Sequence, residues 1–287
     1  MTKVLVTGGN GQLASCIKDV AGGLPGHDFT YIDLDELDIT DKEAVDSFFE
    51  DYIPHWCINC AAYTAVDKAE SEQEIAKKVN VDGARYLAEA SKKRNARFVQ
   101  LSTDFVFDGM QSSIYSETDK TAPLSVYGST KLEGELAVAD ANPEHFVIRT
   151  SWLYSEYGHN FLKTMLRLGS ERDTLNVVSD QIGTPTYAGD LAALIFKILK
   201  TDSPVYGLYH YSNEGVASWY DFAKAIMDES ETECEVLPIK TEAYPTPAKR
   251  PTFSVMDKSK IKNTLNIEIP YWRDSLKKAI QLIYENK

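Results

Sequence analysis

Apolar and polar positions along the first 150 residues alternate between two periods. Short apolar runs typical of strands occupy residues 3–7, 29–34, 56–61, 98–102 and 146–150. Between them lie segments with helical spacing, at residues 12–20, 42–52, 74–94 and 128–140. Because strands and helices alternate, the pattern predicts an α/β fold in which helices cover both faces of a doubly wound parallel sheet.

The regular alternation of strands and helices ends after residue 150. Helical spacing recurs at residues 160–168, 189–199, 219–229 and 274–285, and short strand-like runs lie at 175–178, 208–211 and 235–238. A proline-rich loop is expected at 244–250. We expect residues 1–150, completed by parts of 175–205, to form a larger domain. Residues 151–287 should form mainly a smaller, interleaved α/β lobe.

A glycine-rich turn joins the first strand to the first helix, where residues 7–14 read TGGNGQLA. Gly8 and Gly11 permit a tight turn that lets backbone N–H groups approach a pyrophosphate. Gln12 and Leu13 open the helix, whose N-terminus attracts that anion. Ala14 stands at the place of the third glycine in the usual fingerprint. Because the turn follows a strand and precedes a helix, it predicts a dinucleotide cofactor.

An acidic residue follows the second strand at the distance that such a cofactor requires. Asp33 lies 22 residues beyond Gly11, where a carboxylate accepts hydrogen bonds from the adenosine ribose and favours NADH. Asp33 could equally belong only to the acidic turn at 33–41. No arginine follows that would bind a 2′-phosphate, so the choice between NADPH and NADH stays open. Asp38 and Ile39 are expected beside the adenine.

Tyr127 and Lys131 lie four positions apart in a predicted helix. Their side chains therefore share one face of that helix. An ammonium group lowers the pKa of a nearby phenol, which then exchanges a proton more readily. The spacing alone is common by chance, and an exposed helical pair is the alternative interpretation.

The composition argues against several kinds of partner and indicates where the protein is located. The 287 residues carry 43 acidic and 30 basic side chains, a net charge of −13 that argues against nucleic acid as a partner. No apolar run reaches the roughly 18–20 residues of a membrane span, so we expect no membrane association. The chain enters a strand at once, without room for a signal peptide, and we expect a cytoplasmic protein.

The metal-binding residue types give no recognisable site. Five histidines are scattered along the chain, and four cysteines are too few for a disulfide scaffold of this size. Cys57 and Cys60 have C-x-x-C spacing, but no second pair or nearby histidine completes a zinc site. We expect both to be buried thiols.

Three further segments resemble one known family. They read NCAAYTAVDKAE at 59–70, LSTDFVFDG at 101–109 and YGSTK at 127–131. Together with the glycine turn, they are similar to the extended short-chain dehydrogenase/reductases and, within these, to the dTDP-4-dehydrorhamnose reductases. The resemblance extends over nearly the whole chain through RTSWLY at 149–154, NF at 160–161, DQIGTPT at 180–186 and AKRP at 248–251.

The resemblance implies a Rossmann-type fold and an oxidoreductase that uses NADPH or NADH. Its reaction would reduce the C4 ketone of dTDP-4-dehydro-6-deoxy-L-mannose to dTDP-L-rhamnose, with Thr103, Tyr127 and Lys131 as the catalytic triad. Tyr127 would donate a proton, and Thr103 would hydrogen-bond the carbonyl oxygen. Lys131 would lower the tyrosine pKa and hold the nicotinamide ribose. For Thr103, the alternative is a strand-end hydroxyl that caps its own loop.

The resemblance also implies cofactor contacts at the end of the third strand, from Ala61, Ala62 and Tyr63. Besides Thr103, Asp104 and Trp152 match substrate contacts, and Arg250 would bind the sugar-nucleotide diphosphate through a bidentate contact. Trp152 could instead be a core aromatic between the lobes. Arg250 could be a solvated side chain in the proline-rich loop.

Two features depart from the family pattern. Phe105 stands where many members carry tyrosine. Some members form dimers through Mg²⁺ held partly by a glutamate of the first helix, whereas this helix carries no carboxylate in its 14–17 segment, ASCI. The sequence therefore does not support Mg²⁺, no metal ligand is expected, and a homodimer stays open.

Two alternative functions fit the same resemblance less well. Nucleotide-sugar dehydratases of the superfamily carry an Asp-Glu pair after the threonine, whereas this chain has Asp104-Phe105, so a dehydratase or epimerase would lack its acid. A non-catalytic regulatory subunit is the second alternative, since one reductase-like chain of the family regulates methionine adenosyltransferase. The intact Thr103, Tyr127 and Lys131 argue against that role.

Overall fold

The computed structural model describes residues 1–201 and 204–285. Residues 202 and 203, within the 175–205 range expected to complete the larger domain, lie outside the described residues, as do 286 and 287 of the expected second lobe. The strands are β1 Thr2–Thr7, β2 His27–Ile32, β3 Trp56–Asn59, β4 Arg97–Thr103, β5 His145–Thr150, β6 Leu153–Tyr154, β7 Thr174–Val178, β8 Ile182–Gly183, β9 Thr186–Tyr187, β10 Gly207–His210, β11 Ala217–Ser218 and β12 Glu235–Ile239.

The helices surround these strands. They are α1 Gln12–Ala21, α2 Lys42–Tyr52, α3 Val66–Ala69, α4 Gln73–Lys77, α5 Ala84–Lys93, α6 Val126–Ala141, α7 Phe161–Glu171, α8 Ala188–Leu199, α9 Trp219–Glu229, α10 Ser259–Leu265 and α11 Trp272–Glu285. A π-helical segment, Lys78–Gly83, joins α4 to α5, and 3₁₀ turns lie at Asp104–Val106 and Thr241–Ala243. Within the described ranges, no helix combines the length and apolar character needed to cross a membrane.

Six parallel strands form the main sheet in the order β10-β5-β4-β3-β1-β2. Successive side chains point to opposite faces, so Val4 and Val6 of β1 pack into one core cluster and Leu5 into another. Helices α1 and α8 cover the first face, and α2, α5 and α6 cover the second. This arrangement confirms the predicted α/β fold with a doubly wound parallel sheet.

The smaller lobe is built on short strand pairs rather than on one sheet. Strands β7 and β12 pair in parallel, as do β6 and β9, while β8 and β11 pair antiparallel. Its core lies among α7, α9 and α11, around the fully buried Phe222. The chain returns to the main sheet through α8, which packs against α1, and β10, which pairs with β5. The functional division at residue 150 stays a prediction.

The long helix predicted at 74–94 is interrupted. Residues 78–83 form a π-helical segment centred near Asn80, a buried side chain. The Asn80 amide accepts a hydrogen bond from the Tyr63 N–H at 2.9 Å and donates to the Tyr63 carbonyl oxygen and to Thr130 Oγ1 at 3.2 and 3.1 Å. These bonds tie the loop after β3 to α6. Such π segments occur often beside functional sites.

A buried ion pair links α6 to the main sheet. Glu135 of α6 and Arg149 of β5 are only 5% and 3% exposed. Arg149 donates through Nε and Nη2 to both Glu135 carboxylate oxygens, at 2.9, 3.2 and 2.7 Å. The Ser102 hydroxyl of β4 donates to the same carboxylate. Glu135 therefore fixes the helix that carries Tyr127 and Lys131 against β5 through Arg149, and against β4, the strand that carries Thr103, through Ser102.

Replacing Gly134 with alanine should destabilise the fold. A Cβ at this position would lie well inside contact distance of the Asn80 carbonyl oxygen, and such overpacking costs roughly 1–3 kcal/mol. Gly22→Ala is the control, because Gly22 has a negative φ and open space around its Cβ position. Urea unfolding should show a lower free energy of unfolding for Gly134→Ala alone; equal stability of both variants would contradict the close packing.

Breaking the buried Glu135–Arg149 ion pair should lower the free energy of unfolding by more than Gly134→Ala does. Glu135→Gln leaves the Arg149 guanidinium buried without its counter-charge, which costs about 3–5 kcal/mol. Glu171→Gln is the matched control, because its partner Arg167 is exposed and such surface pairs contribute less than about 1 kcal/mol. Thermal or denaturant unfolding should separate the two variants clearly. Similar small losses for both would show that the buried pair does not hold α6 in place.

Candidate active site

One large cavity lies at the carboxyl edge of the main sheet, with a volume of about 720 Å³. Its walls come from the segments that follow β1, β2 and β3, from the end of β4, and from the residues just after β5. Carboxyl ends of parallel strands gather at one edge, so residues distant in sequence meet there. The predicted site residues that line it are Gly8, Gly11, Gln12, Leu13, Asp33, Asp38, Ile39, Ala61, Ala62, Thr103, Tyr127, Lys131 and Trp152.

The glycine turn is shaped by close backbone contacts. Gly8 has φ +64°, and a Cβ there would lie 2.7 Å from the Ala61 backbone nitrogen, so a side chain would displace the segment that follows β3. The Gly11 N–H donates to the Gly8 carbonyl oxygen at 2.9 Å. Gly11 also caps α1 without any side-chain hydrogen bond. The N–H groups at the start of α1 are thus left for an anion, which fits a dinucleotide pyrophosphate.

Asp33 belongs to the acidic turn and also reaches the glycine turn. Its Oδ2 accepts the Asn10 N–H and its Oδ1 accepts the Leu34 N–H, both at 2.8 Å. An ionised carboxylate has about four acceptor positions, so capacity remains for ribose hydroxyls. In the described part of the chain, Lys131 is the only lysine or arginine that lines the cavity.

Lys131 lies beneath the cavity and is only 4% exposed. Its Nζ donates to the Leu101 carbonyl oxygen at 2.6 Å. Burial lowers the pKa of Lys131 to about 8, and the Glu135 carboxylate opposes that shift. The ammonium therefore stays mostly protonated at pH 7. Cys57 is a buried thiol as predicted, but Cys60 is only partly buried and borders the cavity.

Tyr127 is held in its neutral form. Burial raises the pKa of Tyr127 to about 12, the charge of Asp104 adds to the rise, and the Thr103 hydroxyl opposes it. The pKa of Tyr127 therefore lies above its usual value, contrary to the lowering that was expected from Lys131. Phe105, the departure from the family pattern, packs edge to face on the Tyr127 ring with a centroid distance of 5.7 Å. A neutral phenol facing the cavity is in the state required of a proton donor.

Thr103 ends β4 and does more than cap its loop. Its Oγ1 accepts the Phe105 N–H at 3.2 Å, which is the predicted alternative role. The same hydroxyl donates to Asp104 Oδ1 at 3.1 Å and lies close enough to the Tyr127 phenol to favour its ionised form. Thr103 therefore combines the loop cap with a place in the cavity wall beside Tyr127.

Trp152 forms part of the cavity wall, and its ring stacks on a second tryptophan, Trp219. Its ring lies 3.6 Å from the Trp219 ring at an interplanar angle of 10°. The backbone adopts φ +47°, an uncommon value for a bulky residue. A Cβ at Gly183 would lie 2.7 Å from the Trp152 ring. Trp152 thus packs between aromatic side chains and also lines the cavity, and its contact with a substrate stays a prediction. Trp219 supports it, although no sequence motif had indicated this residue.

The segment after β6 adds residues that were not predicted for the site. Gly158, His159 and Asn160 line the cavity opposite the glycine turn. The Asn160 amide donates to Gln12 Oε1 at 2.8 Å, and the Ser155 hydroxyl donates to the same oxygen at 3.1 Å. Gln12 thereby joins the glycine turn to the smaller lobe. The resemblance at residues 160–161 was the available signal, although it named no role.

Three predicted residues do not line the cavity. Asp104 is 1% exposed and lies behind Thr103. Tyr63 donates its hydroxyl to Glu72 Oε2 at 2.6 Å. Arg250 forms a bidentate pair with Asp67 at 3.0 and 2.8 Å. Arg250 is therefore bonded to a carboxylate rather than solvated or directed into the cavity.

One group of candidate metal ligands occurs within residues 1–201 and 204–285. Atoms of Cys16, Asp19 and Glu156 lie within 4.8 Å of one another. The Tyr157 hydroxyl donates to both Asp19 oxygens, and the Tyr187 hydroxyl donates to Glu156 Oε1. Burial raises the pKa of the Cys16 thiol far above its usual range. The group is thus a hydrogen-bonded cluster with a protonated thiol, which is a poor metal ligand.

Comparison with known proteins agrees with this geometry. The family model described as "RmlD substrate binding domain" matches residues 1–285. A protein of Aggregatibacter actinomycetemcomitans named dTDP-4-dehydrorhamnose reductase is 44% identical over 287 residues, covering 96% of this chain and 98% of the relative.

Two solved structures are also closely similar. A dTDP-4-dehydrorhamnose reductase from Clostridium acetobutylicum is 43% identical with a TM-score of 0.95, covering 99% of this chain and 100% of that one. The Bacillus anthracis enzyme in complex with NADP is 40% identical with a TM-score of 0.93, covering 98% and 100%. The resemblance identified from the sequence is confirmed: the chain belongs to the dTDP-4-dehydrorhamnose reductase (RmlD) family.

Proposed function

We propose that this protein reduces the C4 ketone of dTDP-4-dehydro-6-deoxy-L-mannose with NADPH or NADH, giving dTDP-L-rhamnose. The observation that carries the proposal is that Thr103, Tyr127 and Lys131 border the same cavity as the glycine turn. A ketone reduction needs this arrangement, because hydride and proton must reach adjacent atoms of one bound substrate. Membership of the family supports the choice of substrate.

The cavity fits a dinucleotide along its length. The uncapped start of α1 and the glycine turn would hold the pyrophosphate, and Asp33 would accept the adenosine ribose hydroxyls. The residues proposed to line the cofactor are Gly8, Gly11, Gln12, Leu13, Asp33, Asp38, Ile39, Ala61, Ala62, Tyr127 and Lys131. Tyr63 was predicted with them but is left out of this set, because it does not line the cavity and its hydroxyl bonds Glu72. The bound cofactor supplies the hydride. The Bacillus anthracis relative is in complex with NADP, and both NADPH and NADH are included in the proposal.

Tyr127 would donate the proton to the oxygen that becomes the C4 hydroxyl. Because its pKa lies near 12, the phenol arrives protonated at neutral pH. Lys131 would hold the nicotinamide ribose and place a positive charge near the phenolate that proton donation leaves. Trp152 would pack against the sugar, since its ring forms part of the cavity wall.

Arg250 and Asp104 do not line the cavity, so each could contribute to the reaction only in a particular way. For Arg250 to bind the diphosphate, the substrate would have to replace Asp67 as its bidentate partner. Such an exchange is chemically matched, because both partners present paired anionic oxygens to one guanidinium. Asp104 would act from behind Thr103 rather than from the cavity wall. A homodimer and a cytoplasmic location also belong to this proposal.

The activity is tested by following oxidation of NADPH and of NADH with the dTDP-4-keto sugar. The wild type should oxidise at least one cofactor in a substrate-dependent reaction. Tyr127→Phe should lower kcat by about 10²–10⁴, the usual loss for one positioned proton donor. Tyr206→Phe serves as the matched control, because the Tyr206 hydroxyl bonds Glu144 away from the cavity.

The possible results separate the competing functions. Cofactor binding without substrate-dependent oxidation by the wild type would contradict the reductase and favour a regulatory subunit. Equal losses in Tyr127→Phe and Tyr206→Phe would indicate a general structural effect. Full activity in Tyr127→Phe would remove Tyr127 as the proton donor while leaving the reductase itself intact.

A further inference from the structure

The single proton of the Thr103 hydroxyl has competing acceptors, because Asp104 Oδ1 and the Tyr127 phenol both lie close to it. A hydroxyl has one proton to donate and two lone pairs to accept. The Thr103 proton is directed to Asp104 Oδ1 at 3.1 Å, and one lone pair accepts the Phe105 N–H at 3.2 Å. In this arrangement Thr103 can accept one further bond but cannot donate to a carbonyl oxygen in the cavity.

Asp104 is placed unusually for a charged group. The side chain is 1% exposed, and its Oδ2 has no hydrogen-bond partner among the described residues. Leaving an ionised oxygen buried without a partner is costly. Burial accordingly raises the pKa of Asp104 to about 6. The Ser254 hydroxyl, which lies nearby without a hydrogen bond to Oδ2, and the Thr103 hydroxyl both oppose the shift.

Protonation of Asp104 would reverse the bond with Thr103. A neutral carboxylic acid has an O–H group that can donate to Thr103 Oγ1. Thr103 would then accept from both Asp104 and the Phe105 N–H, and its own proton would be free to point into the cavity. There it could donate to the substrate oxygen or to the Tyr127 phenolate as charge develops.

We propose that Asp104 is a positioning residue whose charge state sets the direction of the Thr103 hydroxyl: neutral Asp104 turns the hydroxyl toward the reacting oxygen, and ionised Asp104 turns it away. This inference rests on the reductase function proposed above. An anionic sugar nucleotide entering the cavity favours the active arrangement, because a second negative charge nearby disfavours ionisation of Asp104.

The groups that face Asp104 leave its charge uncompensated. Tyr127 approaches from α6 and is neutral below its pKa of about 12. Ser254 and Thr103 present only hydroxyls. Lys131 titrates near pH 8 and belongs to the cofactor side of the cavity. Two separate losses of activity with rising pH are therefore expected, one near pH 6 from Asp104 and one near pH 8 from Lys131.

The first test is the pH dependence of kcat and of kcat/KM for ketone reduction. In the wild type, kcat/KM should fall about tenfold as pH rises through about 6, the transition assigned to Asp104 and called here the lower limb. A loss of about tenfold is expected for one neutral hydrogen bond. Asp104→Asn should lack this limb, because its amide can donate to Thr103 at every pH. Asp108→Asn is the matched control and should keep the limb, since Asp108 bonds Met110 and Tyr115 instead.

Two substitutions of Thr103 complete this test. Thr103→Ser keeps a hydroxyl and should keep the lower limb, whereas Thr103→Val should lose it and stay slow at every pH. A wild-type lower limb that persists in Asp104→Asn would overturn the proposal. Activity of Asp104→Asn below the high-pH level of the wild type at every pH would overturn it as well.

A second test needs no turnover and so does not depend on the proposed activity. In protein labelled with ¹³C at aspartate carboxyl groups, the Asp104 resonance is identified by its absence from Asp104→Asn, and its titration gives the pKa. The pKa should rise in Thr103→Val, which removes a hydrogen bond to the ionised form, and should rise on adding dTDP to the wild type. An unchanged value in Thr103→Val would show that the hydroxyl does not donate to Asp104.

Discussion

The shared carboxyl edge of the parallel strands is the constraint on which the rest of the site depends. Every neighbouring pair in the main sheet is parallel, so the segments after β1, β2, β3, β4 and β5 meet at one edge. Local packing contacts, hydrogen bonds and one ion pair then hold these segments in place. The Gly8 turn lies directly against Ala61, Asn80 ties the loop after β3 to α6, and the Glu135–Arg149 pair fixes α6 on the sheet. The proposed chemistry would use groups brought together by topology, not by sequence proximity.

Burial determines the charge state of the groups at this edge. It keeps Tyr127 protonated, brings the pKa of Lys131 down to about 8 and raises that of Asp104 to about 6. Desolvation disfavours whichever form is charged, so it acts in opposite directions on an acid and on a cation. The same low-polarity surroundings would strengthen each hydrogen bond to a developing oxyanion.

The sequence predicted the sheet and the residues of the cavity edge because both follow from local patterns. Strand and helix periods are visible in single segments, and the glycine turn and the Tyr127–Lys131 spacing are short motifs. What it missed depends on contacts between distant segments. Helical spacing at 74–94 could not reveal the π segment, since its Asn80 partners lie at Tyr63 and Thr130. The stacking of Trp152 on Trp219 and the pairing of Arg250 with Asp67 likewise arise only in the folded chain.

Transfer of a labelled hydride tests the proposed reduction itself. The protein would be incubated with the dTDP-4-keto sugar and with NADPH or NADH deuterated at either face of nicotinamide C4, and the product analysed by NMR. Reduction at the cavity predicts dTDP-L-rhamnose with one deuterium at sugar C4, transferred from one of the two faces. Deuterium at another carbon, or a product without deuterium from either labelled face, would contradict direct hydride transfer to the C4 ketone.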